Sequence, residues 1–412
     1  MEQKRARINS AVFPIEKFIR ESDDLPKVVA DSVTEALEDW GMNVSQNDVV
    51  GVTESVVAKI QGNIVSKDIV ARDIREKTGG KHTYMFDPIF STNRFSHIVD
   101  SAARAVEKLT IVLRIKADEV GNSVIPKEVY EANVARLDPN KFYTKEELEE
   151  IFGRKLAHSI TGSNYTDNYK SAGKNVEVFY TIEPTEMAKE LSQQIPMIAA
   201  DIHTRFDTEK KLRASGAQNV FRLDQFMTKS IDGSGYNPEY GLLGANLSGE
   251  NSLKLFPRNG KQFVEAVRDE FDKKVGVKPE VLIFGDGAFK DPQTGIWELA
   301  DPTTSPGYSD RLAGSPNEIK LKFFVDSEIE KLVNQGLTKT DATAIAQKKF
   351  FEARAAKGTE NNFRVGTTPR KYFDLIASMF DLAVGSGDRM TPIVVAKNYF
   401  NDDEKFLDKG NV

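Results

Sequence analysis

Cysteine is missing from the 412 residues. That absence excludes disulfide scaffolds, thiol nucleophiles, Fe–S clusters and cysteine-type zinc sites together. Histidine is scarce: His82, His97, His158 and His203 are the full set. None stands at the spacing of about three to five residues that paired helical or zinc-finger ligands use. Any metal must therefore be held by oxygen, which points to Mg²⁺ or Mn²⁺. Positive charge is not in excess, with 56 Lys+Arg against 62 Asp+Glu and a formal net of -6, so nucleic acid is not an expected partner. No run approaches the roughly 18 apolar residues of a membrane span. The opening MEQKRARINSAVFPIEKF has basic residues but no apolar stretch of a signal peptide behind them. A soluble, cytoplasmic protein with no membrane contact is expected.

What is present reads as two to four structural units at roughly 100–200 residues each. Apolar spacing predicts helices in LPKVVADSVTEALEDWG, FSHIVDSAARAVEKL, TKEELEEIFGRKLA, TEMAKELSQQIP, GKQFVEAVRDEFDKKVG and TTPRKYFDLIASMFDLAV. Buried strands are predicted for NDVVGVT, TIVLRI, VEVFYTI, LKLF, VLIF and TPIVVAK. The pattern is α+β, with mixed or antiparallel sheets and packed helices. Residues 1–75, 237–320 and 361–412 read as parts of one core. Residues 76–236 read as an inserted α/β domain and 321–360 as a helical hairpin insertion.

Known nucleotide motifs are not there. GANLSGENS carries Glu250 where a P-loop needs lysine, and no Rossmann fingerprint or G-x-S-x-G elbow occurs. Four polar clusters remain: Thr53-Glu54-Ser55 with Lys59, Gly244-Ala245-Asn246, Gly285-Asp286-Gly287, and Gly385-Ser386-Gly387-Asp388. Small residues let backbone N–H groups approach phosphates, a lysine supplies a point charge and carboxylates hold a hard cation. Together they suit a triphosphate-using enzyme without a P-loop. Equally, each cluster closes a helix or strand with ordinary turn chemistry.

The order of segments carries a resemblance. VFPIEKFIRESDDL followed by NDVVGVTESVVAKIQGNIVS resembles the opening of the coenzyme F-420 gamma-glutamyl ligase family. YGLLGAN, then LKLFPRNGKQFVEAVRDEFDKKVGVKPEVLIFGDG, is similar to its Ser-Asn loop, strand, helix and the strand leading to its metal-binding Asp. GYSDRLAG and TTPRKYFDLIASMFDLAVGSGDRMTPIVVAK resemble its later segments. The resemblance covers 12–75, 237–314 and 361–400.

It implies a GTP- or ATP-dependent, Mg²⁺- or Mn²⁺-dependent ligase, working as a homodimer, that joins L-glutamate to a small-molecule carboxylate acceptor through an acyl phosphate. Asp286 and Lys59 are then expected to be catalytic. Glu54, Ser55, Lys59, Asn246, Gly385, Ser386, Gly387 and Asp388 would contact the nucleotide, and Asp286, Glu250 and Asp388 would hold metal. The sequence departs from the family at three places: its second metal-binding Asp falls on Leu243, the Thr after its metal Asp on Gly287, and a further ligand on Ser386. Glu250 is the preferred substitute for the first, ahead of Glu239 and Asp232. A non-catalytic nucleotide or metabolite binder on the same scaffold is the alternative, and a partner-docking protein using 76–236 is a third.

Overall fold

The computed structural model describes residues 8–92, 94–315, 321–355, 370–384 and 389–400. Leu25, Val29, Val33 and Leu37 recur at four-residue spacing and form the buried stripe of α1 (Leu25–Asp39), which lies between β1 (Ala11–Ile15) and β2 (Val49–Thr53). There follow α2 (Glu54–Ile60), β3 (Ile64–Ser66), α3 (Lys67–Thr78), β4 (Thr83–Phe86), α4 (Phe95–Ala105) and β5 (Leu109–Arg114). Next come α5 (Lys127–Asn133), α6 (Lys145–Phe152), α7 (Tyr165–Lys170), β6 (Val176–Thr181), α8 (Pro184–Met187), β7 (Met197–Ala199), α9 (Arg205–Ala214) and β8 (Val220–Arg222). The chain returns through β9 (Asn246–Leu247), β10 (Ser252–Lys254), α10 (Gly260–Val275), β11 (Glu280–Phe284), β12 (Phe289–Lys290), β13 (Trp297–Glu298) and β14 (Gly307–Tyr308). Helices α11 (Leu321–Asn334), α12 (Lys339–Ala355) and α13 (Tyr372–Val384) precede β15 (Ile393–Lys397). The fold is α+β. No helix among the described residues is long and apolar enough to cross a membrane.

The first large sheet has the order β1-β15-β2-β11-β14, with β2 and β11 parallel and the other pairs antiparallel. Its strands alternate between two buried faces. Val50, Val52, Val281 and Ile283 meet α1 and α10, whereas Val49, Leu282, Phe284 and Val394 meet α13. Pro14 is tolerated because β1 is an edge strand. Gly51 lies under the Phe380 ring, where an added Cβ would stand 2.3 Å from a ring carbon. Any side chain there would push α13 off the sheet.

The second large sheet draws its strands from residues 83–222. All its neighbours are parallel, in the order β6-β5-β4-β7-β8. Helices cover both faces: α3 and α4 with Val70, Ile74, Phe95 and Val99 on one, and α9 with Leu212 on the other. This doubly wound order reverses direction between β4 and β7. The segment TEMAKELSQQIP departs from the expected helix. Only one turn of α8 forms, followed by a 3-10 turn at Ala188–Glu190, because the chain must extend through Pro196 into β7. A small antiparallel sheet, β3-β10-β9, joins the two parts.

At the carboxyl end of β7, Asp201 is 1% exposed. Its Oδ2 accepts from the hydroxyl of Thr208 at 3.0 Å, and its Oδ1 has no hydrogen-bond partner. Burial, with Glu119 and Asp87 close by, pushes its carboxyl up to about 7. The folded chain thus holds this proton to higher pH than the unfolded chain, whose Asp titrates near about 4, so stability is lost as pH rises between the two values. Asp201→Asn removes that loss. The variant should exceed wild type by about 4 kcal/mol at pH 8 and converge with it by pH 4, read from urea midpoints. Equal gains at both pH values would assign the effect to shape rather than charge.

Candidate functional site

The parallel pairing of β2 with β11 sets Thr53 opposite Phe284. Their carboxyl ends therefore deliver Glu54, the first residue of α2, and Asp286, two residues beyond β11, to one place. Ser55 and Lys59 are four apart on α2 and share a helix face. Asn246 of β9 reaches the same region because it pairs with Lys254 of β10. All five residues line one cleft of about 710 Å³, which Glu298, Asp381 and Arg389 also line.

Beneath the cleft floor lies a buried ionic network. Arg94, 7% exposed and placed just before α4, spans two carboxylates. Its Nη2 donates to Asp286 Oδ2 at 2.9 Å and its Nη1 to Asp301 Oδ1 at 2.8 Å. Asp301, fully buried, also accepts the Asp286 backbone N–H at 2.9 Å. Lys254 Nζ donates to Glu54 Oε1 at 2.8 Å. Burial opposes the charge on Arg94, yet Asp301, Asp286 and Glu54 together hold the guanidinium firmly protonated. Burial raises Asp286, and Asp301 raises it further, with Arg94 pulling the other way. Burial likewise raises Glu54 against the opposing pull of Lys254.

Helix α13 closes the far side. Asp381 Oδ2 accepts the Gly287 N–H at 2.9 Å, and Ser378 Oγ accepts the Ala288 N–H at 3.1 Å. A Cβ at Gly287 would stand 3.0 Å from that Asp381 oxygen, so the close approach of helix and loop favours glycine at this position.

A family model described as F420-0:gamma-glutamyl ligase matches residues 16–398. The chain belongs to that family. No curated protein matches the sequence. The match runs through the doubly wound sheet as well as the first one, so the ligase-family assignment applies to nearly the whole chain.

Of the residues expected from the ligase family, the cleft gathers Glu54, Ser55, Lys59, Asn246 and Asp286. Glu250 is exposed in the turn between β9 and β10 and is not part of the cleft lining. Gly385, Ser386, Gly387 and Asp388 lie outside the described residues, though Val384 and Arg389 on either side line the cleft. Leu243, at the position of a family metal-binding Asp, is 1% exposed and part of an apolar core. Sequence reasoning did not single out Arg94, Lys254, Asp301 or Asp381. Only Asp381 left a signal, since it stands seven residues after Asp374 on an otherwise apolar helix.

The resemblance also implies a divalent cation, and the donor set at Asp286 tests it. Glu54, Asp286 and Asp301 bring six carboxylate oxygens, of which four are engaged: two by Arg94, one by the Asp286 N–H and one by Lys254. Glu54 Oε2 is buried without a hydrogen-bond partner. Among the described residues, no three carboxylate or histidine side chains are disposed to hold an ion. These residues do not fit a cation resident between Asp286 and Asp301, because the guanidinium already bridges those two carboxylates and the second Asp301 oxygen is taken by the Asp286 N–H.

Proposed function

We propose that the protein is a nucleotide-dependent amide-forming ligase that adds L-glutamate or a similar amino acid to a small-molecule carboxylate acceptor. The observation that carries this reading is the convergence of Glu54, Ser55, Lys59, Asn246 and Asp286 on one cleft in a chain of this family. GTP or ATP is the phosphoryl donor and enters as its Mg²⁺ or Mn²⁺ complex, the ion belonging to the substrate. A homodimer in the cytoplasm completes the proposal.

A carboxylate resists attack by an amine until one of its oxygens becomes a phosphate leaving group. Phosphoryl transfer asks the protein mainly for positioning and charge stabilisation. Lys17, Lys59 and Arg389 line the cleft and supply positive charge for the triphosphate. The acceptor carboxylate, once phosphorylated, is attacked by the glutamate amine, which forms the amide and releases phosphate.

Purified protein should release phosphate from GTP or ATP only when Mg²⁺ or Mn²⁺, an acceptor such as F420-0 and L-glutamate are all present. Absence of nucleotide binding in calorimetry with either ion would end this reading. Leu243 and Gly287, standing where the family has ligands, favour a second one: a binder that holds nucleotide without turnover. It predicts a calorimetric binding signal and no phosphate release under any combination of acceptors.

A further inference from the structure

We propose that Arg94 serves as a built-in cation at Asp286, so that the protein holds no divalent ion of its own there and the only such ion in the reaction is the one the triphosphate brings. The inference deepens the ligase reading and rests on it for its place in the reaction.

Four observations carry it. Arg94 is 7% exposed and bonds Asp286 and Asp301 at 2.9 and 2.8 Å, a fork that matches two carboxylates as an ion would. Its neighbour Glu54 is paired by a second buried cation, Lys254, at 2.8 Å. Arg94 and Leu243 line the same small gap, and Leu243, where the resemblance places a family metal-binding Asp, carries no ligand atom. Asp301 commits its remaining oxygen to the Asp286 N–H. Guanidinium charge is permanent and planar, so it neutralises the pair without a coordination shell to complete.

Arg94 is thus a positioning residue. It fixes the Asp286 carboxylate at the cleft wall and sets how much negative charge the cleft presents to an arriving metal–nucleotide complex. Its effect is read best on the metal rather than on turnover.

The test titrates Mn²⁺ into nucleotide-free protein and follows the free-ion signal by electron paramagnetic resonance. Wild type should bind no more Mn²⁺ than Asp286→Asn. Arg94→Gln, once circular dichroism has shown it folded, should bind Mn²⁺ at least about tenfold more tightly than wild type, because two oxygens are released to a new ion. The proposal is overturned if wild type holds one Mn²⁺ that Asp286→Asn loses, or if folded Arg94→Gln binds Mn²⁺ no better than wild type. Should Arg94→Gln not fold, the comparison of wild type with Asp286→Asn decides alone. Because nucleotide is left out, these results are separate from the nucleotide-binding test of the ligase reading.

Discussion

Asp301→Ala is expected to destabilise the protein by about 3–5 kcal/mol, the range found when one partner of a buried ion pair is removed. Asp301 is fully buried, accepts from both Arg94 and the Asp286 backbone, and fills the space beside Gly285, where an added Cβ would stand 2.4 Å from its Oδ2. The truncation leaves the Arg94 guanidinium with Asp286 as its remaining ion-pair partner among the described residues, and Asp286 is itself 31% exposed. An N–H is left unsatisfied as well, and a cavity opens. Asp301→Asn, which keeps the shape and one acceptor oxygen, should lose less. Urea unfolding of the three proteins at pH 7 measures the difference. A loss below about 1 kcal/mol for the alanine variant would mean that the network contributes little to stability.

Lys59→Ala is expected to lower nucleotide-dependent phosphate release by about 10²–10³-fold, the scale found when one donor to a developing anion is removed from an active site. Lys59 is exposed at the cleft, in the last turn of α2, so its loss disturbs no core packing. The melting temperature should therefore stay within about 1 °C of wild type, as for most surface substitutions. Steady-state kinetics and a thermal melt on one preparation separate the two effects. Unchanged kcat/KM would remove Lys59 from the site, and a matching fall in melting temperature would assign the loss to the fold.

Much of the fold was legible because it repeats at short range. Helices α1, α4, α10 and α13 announce themselves by apolar spacing, and β11 by VLIF running into Gly285-Asp286-Gly287. Strands β4, β7 and β8 were not legible. They are three or four residues long, and what makes them strands is pairing with β5 and with each other, support that a local pattern does not record. The site divides in the same way. Glu54 and Asp286 could be singled out because each sits at the end of a predictable strand. Arg94 could not, since it stands between β4 and α4 in a connection with no charge pattern, 192 residues before the carboxylate it binds. Contacts across such separations leave no trace in spacing.

The loop that carries Arg94 follows β4, the first strand of the parallel sheet, while its partners Asp286 and Asp301 belong to the loops around β11 and β14. The loops after β5 and β7 of the same sheet also meet this region, through the Trp297 N–H on the Val120 carbonyl and through His203 on Leu299. The parallel sheet is therefore not a cassette that recombination can exchange at will. A transplanted segment in place of 76–236 must return a cation to the same point, or the recipient must give up one of its carboxylates at the same time. A neutral residue at position 94 is thus expected to be tolerated best when Asp286 or Asp301 loses its charge in the same chain.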